Sequence, residues 1–222
     1  MKFLKTTSIV IVLLLAGCLS ARAQKDGLSI FYFYSPACSP CNNVSIIIKD
    51  LSRNFTVQGF VFGGGKTEPM PFKVNSADEA TLARYHVDQF PALAVMSNDA
   101  VKQMIVGEQD IKDAGLILKA FRKGALSVTD LVAKNPQETY VVAGWVISGG
   151  EYFRNAKFML TDRKNTLLLR PWLPLEVMRS PFRTAMPRMM SDVINHVVVV
   201  EGTLTRSGEE LQFNVHKEIV IE

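Results

Sequence analysis

Two thiols stand three positions apart in Cys38-Ser39-Pro40-Cys41, behind the turn-forming residues Ser35-Pro36-Ala37. With Pro40 in the first turn of a helix, the Cys38 sulfur lies at the helix N-terminus, where unpaired backbone N–H groups and the positive dipole end favour a thiolate. Cys41 then lies one turn further in, close enough to close a small disulfide ring and to displace a partner held on Cys38 as a mixed disulfide. The spacing makes Cys38 the candidate attacking nucleophile and Cys41 the candidate resolving thiol. Two other readings of the pair stay open: half of a zinc site, and an inert structural disulfide. Zinc needs four ligands. The remaining cysteine is Cys18, and His86, His196 and His216 are scattered, so no metal site and no cofactor is expected.

The elements that must hold this pair are legible on either side of it. Leu28 to Tyr34 is an apolar and aromatic run of strand length. After the cysteines, Val44, Ile47, Ile48 and Leu51 recur at helical spacing. Phe55 to Phe62 reads as a second strand, ended by Gly63-Gly64-Gly65. A loop rich in Pro and Gly follows, then a helix from Ser76 to about Tyr85 with Ser76 and Glu79 as a capping box. Apolar runs at Ala92 to Met96 and Val101 to Val106 are short strands. A helix from about Asp110 to Lys123 carries Ile111, Ala114, Ile117, Leu118 and Phe121 on one face.

Asn135-Pro136 marks the boundary between two domains, 24–134 and 135–222. Beyond it the rhythm changes to strand-type runs at 139–148, 156–162, 166–173, 196–205 and 210–221, with a helical segment at Pro187 to Asn195. Gly149-Gly150, Arg163-Lys164-Asn165 and Ser207-Gly208 supply turns. Three strands, a short helix and two strands is the element order of an all-β, five-stranded OB-type barrel, and Gly144 and Gly202 suit its sharp bends. A basic run (Arg154, Lys157, Arg163, Lys164, Arg170, Arg179, Arg183, Arg188) reads first as a solvated face and second as a binding face. Trp145, Phe153 and Trp172 read as core before stacking platforms, and Met178, Met186, Met189 and Met190 as packing before a copper(I) site.

Ile30-Phe31-Tyr32-Phe33-Tyr34, the Cys38-Ser39-Pro40-Cys41 helix start and Phe90-Pro91-Ala92 before a strand together resemble the thioredoxin superfamily over roughly residues 27–125. The resemblance implies an α/β thioredoxin-like domain, with Pro91 as a cis-proline beside the cysteines and Phe90 offering backbone hydrogen bonds to an extended substrate. Ser39 and Pro40, between the cysteines, complete the expected substrate-binding set. Leu82 to Leu93 is also similar to the corresponding part of the envelope thioredoxin-like proteins of conjugative transfer systems, the TraF group. The C-terminal strands resemble the OB-fold group of exported bacterial proteins over about 138–221, carrying over no catalytic residue.

This chain departs from the thioredoxin pattern at two companions of the first Cys. Ala37 replaces the usual Trp before it, and Tyr32 replaces a buried proton-accepting Asp six positions upstream. No His lies between the cysteines, so a protein thiol-disulfide oxidoreductase of reductase or isomerase type fits better than a broad oxidant. A non-catalytic adaptor or assembly protein of a secretion or conjugation system is the rival expectation.

Residues 1–23 read as an export signal, with Lys2 and Lys5 ahead of an apolar core from Ile9 to Ala16 and Ala21-Arg22-Ala23 as a cleavage site. An alternative ending is the lipobox-like Leu15-Ala16-Gly17-Cys18, which would make Cys18 a lipidation site and anchor the chain to a membrane. Either ending places the protein in the periplasm or cell envelope, where disulfides persist. The expected partners are envelope protein thiols or disulfides and a membrane-bound redox donor. The 222 residues are 48% hydrophobic, as suits one or two globular domains. The formal charge of +4 falls to +1 once Lys2, Lys5 and Arg22 leave, so a nucleic-acid partner is not expected.

Overall fold

The computed structural model describes residues 27–65, 68–148, 158–170 and 194–221. The expected export segment with Cys18, residues 187–193 of the helix expected from Pro187 to Asn195, Phe153, Trp172, the four methionines and Arg154, Lys157, Arg179, Arg183 and Arg188 of the basic run lie outside the described residues. At the end of that expected helix, Ile194 forms an isolated bridge to Val146 and Asn195 is in a turn.

The N-terminal unit is built on a five-stranded sheet of β1 (Leu28–Tyr34), β2 (Thr56–Phe62), β3 (Val74–Ala77), β4 (Ala92–Ser97) and β5 (Ala100–Val106). Its order is β3-β2-β1-β4-β5, with β1, β2 and β3 parallel and β4 and β5 antiparallel to their neighbours. Helix α1 (Ser39–Leu51) makes the β1–β2 crossover and buries Cys41, Val44, Ile48 and Leu51 on one face. Helix α2 (Glu79–Arg84) follows β3, and α3 (Glu108–Lys112) and α4 (Ala114–Arg122) follow β5. This α/β arrangement, with the cysteine helix in the first crossover, is consistent with the thioredoxin-like expectation.

Three local readings are corrected. Val74–Ala77 is an edge strand and not part of a loop: Ser76 pairs with Val61 of β2. The cap of α2 is therefore Asp78, whose carboxylate accepts from the Thr81 N–H at 2.8 Å, and not Ser76. The helix expected from Asp110 to Lys123 starts at Glu108 and breaks at Asp113, which ends α3 and opens α4. The apolar spacing runs through the break because both pieces pack on the same core.

The C-terminal unit is a closed barrel of β6 (Thr139–Ser148), β7 (Phe158–Thr161), β8 (Thr166–Arg170), β9 (Val197–Ser207) and β10 (Glu210–Glu218), ordered β10-β8-β7-β6-β9. All neighbours are antiparallel except β8 and β10. This closed barrel is consistent with the OB-like expectation. Gly144 and Gly202 lie where strands approach closely. A Cβ on Gly144 would stand 2.8 Å from the Thr161 carbonyl oxygen, and one on Gly202 would collide with the Asn214 backbone.

Strands β6 and β9 are apolar without alternation because both of their faces are covered. Val142, Val146, Val198 and Val200 point into the barrel, where they meet Leu160, Leu204, Phe213 and the buried Val128 and Leu131 of α5 (Val128–Val132). Ala143, Trp145, Val197 and Val199 point the other way and join the core of the N-terminal unit, with Ile111, Ala114, Ile117 and Leu118. Trp145 is fully buried and so is core and not a stacking platform. The two units thus share one continuous apolar cluster.

Candidate functional site

Ser35 to Cys38 close a turn at the end of β1, with the Cys38 N–H donating to the Ser35 carbonyl at 3.1 Å. Cys38 then adopts extended backbone and caps α1, its Sγ accepting from the Cys41 N–H at 3.2 Å. This is the N-cap contact that a serine or aspartate oxygen ordinarily makes, here given to sulfur. Pro40 falls in the first helical turn, where its missing N–H costs nothing. The two cysteines form a disulfide with Cα atoms 5.3 Å apart. Cys38 is half-buried and Cys41 is 3% exposed, so the outer sulfur is the one a partner can reach. Among the described residues no cluster of His, Cys, Asp and Glu suits a metal ion.

Beneath the cysteines, the buried Tyr32 hydroxyl donates to the Cys41 carbonyl at 3.3 Å, and its ring stacks on Tyr34 with centroids 4.8 Å apart. Burial, and then the neighbouring Tyr34, push the Tyr32 phenol well above the usual tyrosine range. It stays neutral across physiological pH and does not replace a carboxylate as a proton acceptor.

The Phe90–Pro91 peptide is cis. Phe33 pairs with Ala92, so the register sets the buried Pro91 opposite Tyr34, at the sheet end from which the cysteine turn emerges. The structure thus brings Phe90 and Pro91 to the same end of the sheet as Cys38 and Cys41. Ser39 and Pro40 are exposed on the helix start.

Several neighbours of the site were not singled out in the sequence. Phe62, the last residue of β2, stacks on Phe90 with centroids 5.9 Å apart. The exposed Gly63-Gly64-Gly65 loop runs beside the cysteine turn: a Cβ on Gly65 would stand 3.1 Å from the Pro36 Cβ. Read only as a strand terminator, this triplet was the one available signal of a close backbone approach. Gly107, at φ 89°, caps α3 and donates its N–H to the Pro91 carbonyl at 2.9 Å. The next residue, Glu108, accepts from the Asn43 side chain of α1 at 3.0 Å. The β4–β5 pairing, Ala92 opposite Val106, sets Gly107 against Pro91, while no sequence pattern links Asn43 to Glu108, which the packing of α3 on α1 brings together.

No family model and no curated protein matches the chain. Among solved structures it is similar to reduced thioredoxin pre-protein of Schistosoma mansoni, at 21% identity over 47% of this chain and 88% of that one, with a TM-score of 0.31. Thioredoxin of Fasciola hepatica is similar at 14% identity over 50% and 92%, with a TM-score of 0.32. An OBody bound to hen egg-white lysozyme is similar at 19% identity over 37% and 80%, with a TM-score of 0.27.

Proposed function

We propose that the chain is an exported thiol-disulfide oxidoreductase acting on cell-envelope proteins, with Cys38 as nucleophile and Cys41 as resolving thiol. The observation that carries this reading is the asymmetry of the pair: an accessible Cys38 sulfur that accepts the Cys41 N–H at the helix start, linked to a buried Cys41. In the reduced protein the Cys38 thiolate attacks a client disulfide, forming a mixed disulfide and releasing one client thiolate. The Cys41 thiolate then attacks the Cys38 sulfur, closing the intramolecular disulfide and expelling the second client thiolate. Two electrons pass from the cysteine pair to the client, and an envelope dithiol donor, membrane-bound in this reading, restores them. Phe90, Pro91, Ser39 and Pro40 border the groove that receives the client.

The barrel, read as OB-type and as the domain 135–222, positions the 24–134 domain or its client. Residues 1–23 direct export, with lipidation at Cys18 as the alternative ending. The test is trapping in cells. Cys41→Ala is expected to accumulate client adducts that reductant releases, and Cys38→Ala to accumulate none. If neither variant traps a protein and both retain function, the exchange reading fails.

The second reading is an adaptor of a secretion or conjugation assembly in which the disulfide only staples the start of α1. What favours it is the neutral Tyr32 phenol under Cys41, which does not accept a proton from the resolving thiol as a carboxylate there would. A Cys38→Ser, Cys41→Ser double variant that folds and supports the cell as wild type does would support it.

A further inference from the structure

We propose that Arg163, in the β7–β8 turn of the barrel, is a positioning residue for the cysteine site, acting through the turn at 107–113; this rests on the exchange reading above. Arg163 Nε and Nη2 donate to the two carboxylate oxygens of Asp110 at 2.9 and 2.8 Å, a two-pronged pair that fixes orientation as well as distance. Asp110 belongs to α3, whose cap Gly107 holds the Pro91 carbonyl and whose first residue Glu108 holds Asn43 of the cysteine helix. The cysteine helix is therefore tied through Asn43 to a five-residue helix that continues directly from the β4–β5 rung holding Pro91, and that helix is itself tied to the barrel. At the far end of the turn, Asp113 stands 3.6 Å from His196, beside β9 of the barrel.

The turn that presents Arg163 is built for that purpose and not a loose loop. Arg163 adopts left-handed backbone, φ 69°, which a residue with a long side chain rarely does without compensation. The compensation is local. The Thr161 hydroxyl accepts from the Arg163 N–H at 3.0 Å, and the buried Asp162 carboxylate accepts from the N–H groups of Lys164 and Asn165. Asp162 also accepts from the Thr129 N–H, which binds the turn to α5. The Arg163 guanidinium lies over the ring of the fully buried Trp145, 5.3 Å from its centroid, so a rigid floor supports it. Of the basic run singled out in the sequence, Arg163 is thus committed to the N-terminal unit and not to an external anion.

On the exchange reading, two kinds of substrate are distinguished. A small disulfide needs only the Cys38 sulfur, whereas a polypeptide must also lie along the Pro91 segment. Reduced wild type, Arg163→Met, Asp110→Asn and the double variant are each assayed with oxidised glutathione and with a peptide containing an intramolecular disulfide. Arg163→Met is expected to lose on the order of tenfold in kcat/KM for the peptide, through KM, as a shifted binding wall would cause. Its reaction with oxidised glutathione is expected to stay within about twofold of wild type by the same logic, because the reacting sulfurs are untouched. The double variant should be no worse than either single one, because the pair acts as a unit.

An unchanged peptide KM in Arg163→Met overturns the proposal, as does an equal loss with both substrates or additive losses in the double variant. Should Arg163→Met not fold, Arg163→Lys keeps the charge and removes the two-pronged contact. It is expected to raise the peptide KM selectively, and a wild-type ratio of the two rates overturns the proposal. A wild type inert toward both substrates overturns the exchange reading, and with it the role of Arg163. A wild type that reacts, with variants that match it, overturns the role of Arg163 alone.

Discussion

The Tyr32 hydroxyl reaches the carbonyl oxygen of Cys41 at 3.3 Å, placing a neutral, fully buried phenol directly under the inner cysteine. Tyr32→Phe removes this donor and leaves the ring that stacks on Tyr34. The expected cost is about 1 kcal/mol in urea unfolding of the oxidised protein, the usual net worth of one such hydrogen bond. Because the phenol is held neutral, the pH profile of exchange in Tyr32→Phe should superimpose on that of wild type up to about pH 9, below the ordinary tyrosine range. A displaced profile would mean that Tyr32 ionises or moves a proton during exchange.

Accessibility separates the two sulfurs once the disulfide is reduced. Cys38 is half-buried and receives the Cys41 N–H, while Cys41 is 3% exposed. Limiting iodoacetamide is expected to modify Cys38 first, as read by mass spectrometry of the peptide that carries both. Preferential modification of Cys41 would reverse the assigned roles.

Trp145 connects the two units through one apolar cluster. Trp145→Ala is expected to cost about 3–5 kcal/mol, the range for truncating a buried aromatic residue. Wild type should unfold in a single transition when followed by probes in either unit, since neither has a separate core at the junction. Two resolved transitions in wild type would contradict a shared core.

Strand closure at Gly202 admits no side chain, because a Cβ there would run into the Asn214 backbone on β10. Gly202→Ala is expected to destabilise by about 1–3 kcal/mol, as overpacking does. Gly208 offers the comparison. It has open space around its Cβ position but a φ of 62°, so Gly208→Asn, which tolerates that conformation, should cost less. Thermal unfolding of the two variants measures the difference.

Acid should weaken the fold through carboxylates held by their partners. The Lys112 and Asn43 hydrogen bonds hold the Glu108 carboxyl below its ordinary value. At Asp130, burial pushes the carboxyl up, but Lys102 and the capping Ser127 more than reverse it. Groups lowered in the folded state contribute stability that is complete above their unfolded pKa values. That stability is lost as the pH falls below about 4 and through the lower folded values. Asp130→Asn is expected to flatten this acid limb in urea unfolding between pH 6 and 3. The Asp130 contribution at neutral pH should be under about 1 kcal/mol, because the pair is partly solvated.

Much of this molecule was legible in the order of its residues. The spacing of Cys38 and Cys41, the proline between them and the apolar period from Val44 to Leu51 are local signals, and they place the cysteine pair at a helix start. The strands β1, β2 and β4 to β10 follow from runs of apolar residues interrupted by turn formers. Even the shared core left a trace. Val141 to Val146 and Val197 to Val200 do not alternate, as strands buried on both faces do not.

Tertiary structure decided the rest, because the deciding contacts join residues far apart in the chain. Val74–Ala77 became a strand only because β2 offered it an edge, and that pairing moved the cap of α2 from Ser76 to Asp78. The break at Asp113 has local signals in Asp113, an N-cap residue type, and in Gly115, but the apolar period that continues across it masks them. No spacing rule could join Glu108 to Asn43 or Arg163 to Asp110, since each contact depends on two elements distant in the chain meeting. The sequence by itself determined that the cysteine pair opens a helix and where every described strand but β3 lies, because those signals are local; the packing of α3 between the cysteine helix and the barrel determined what holds them in place.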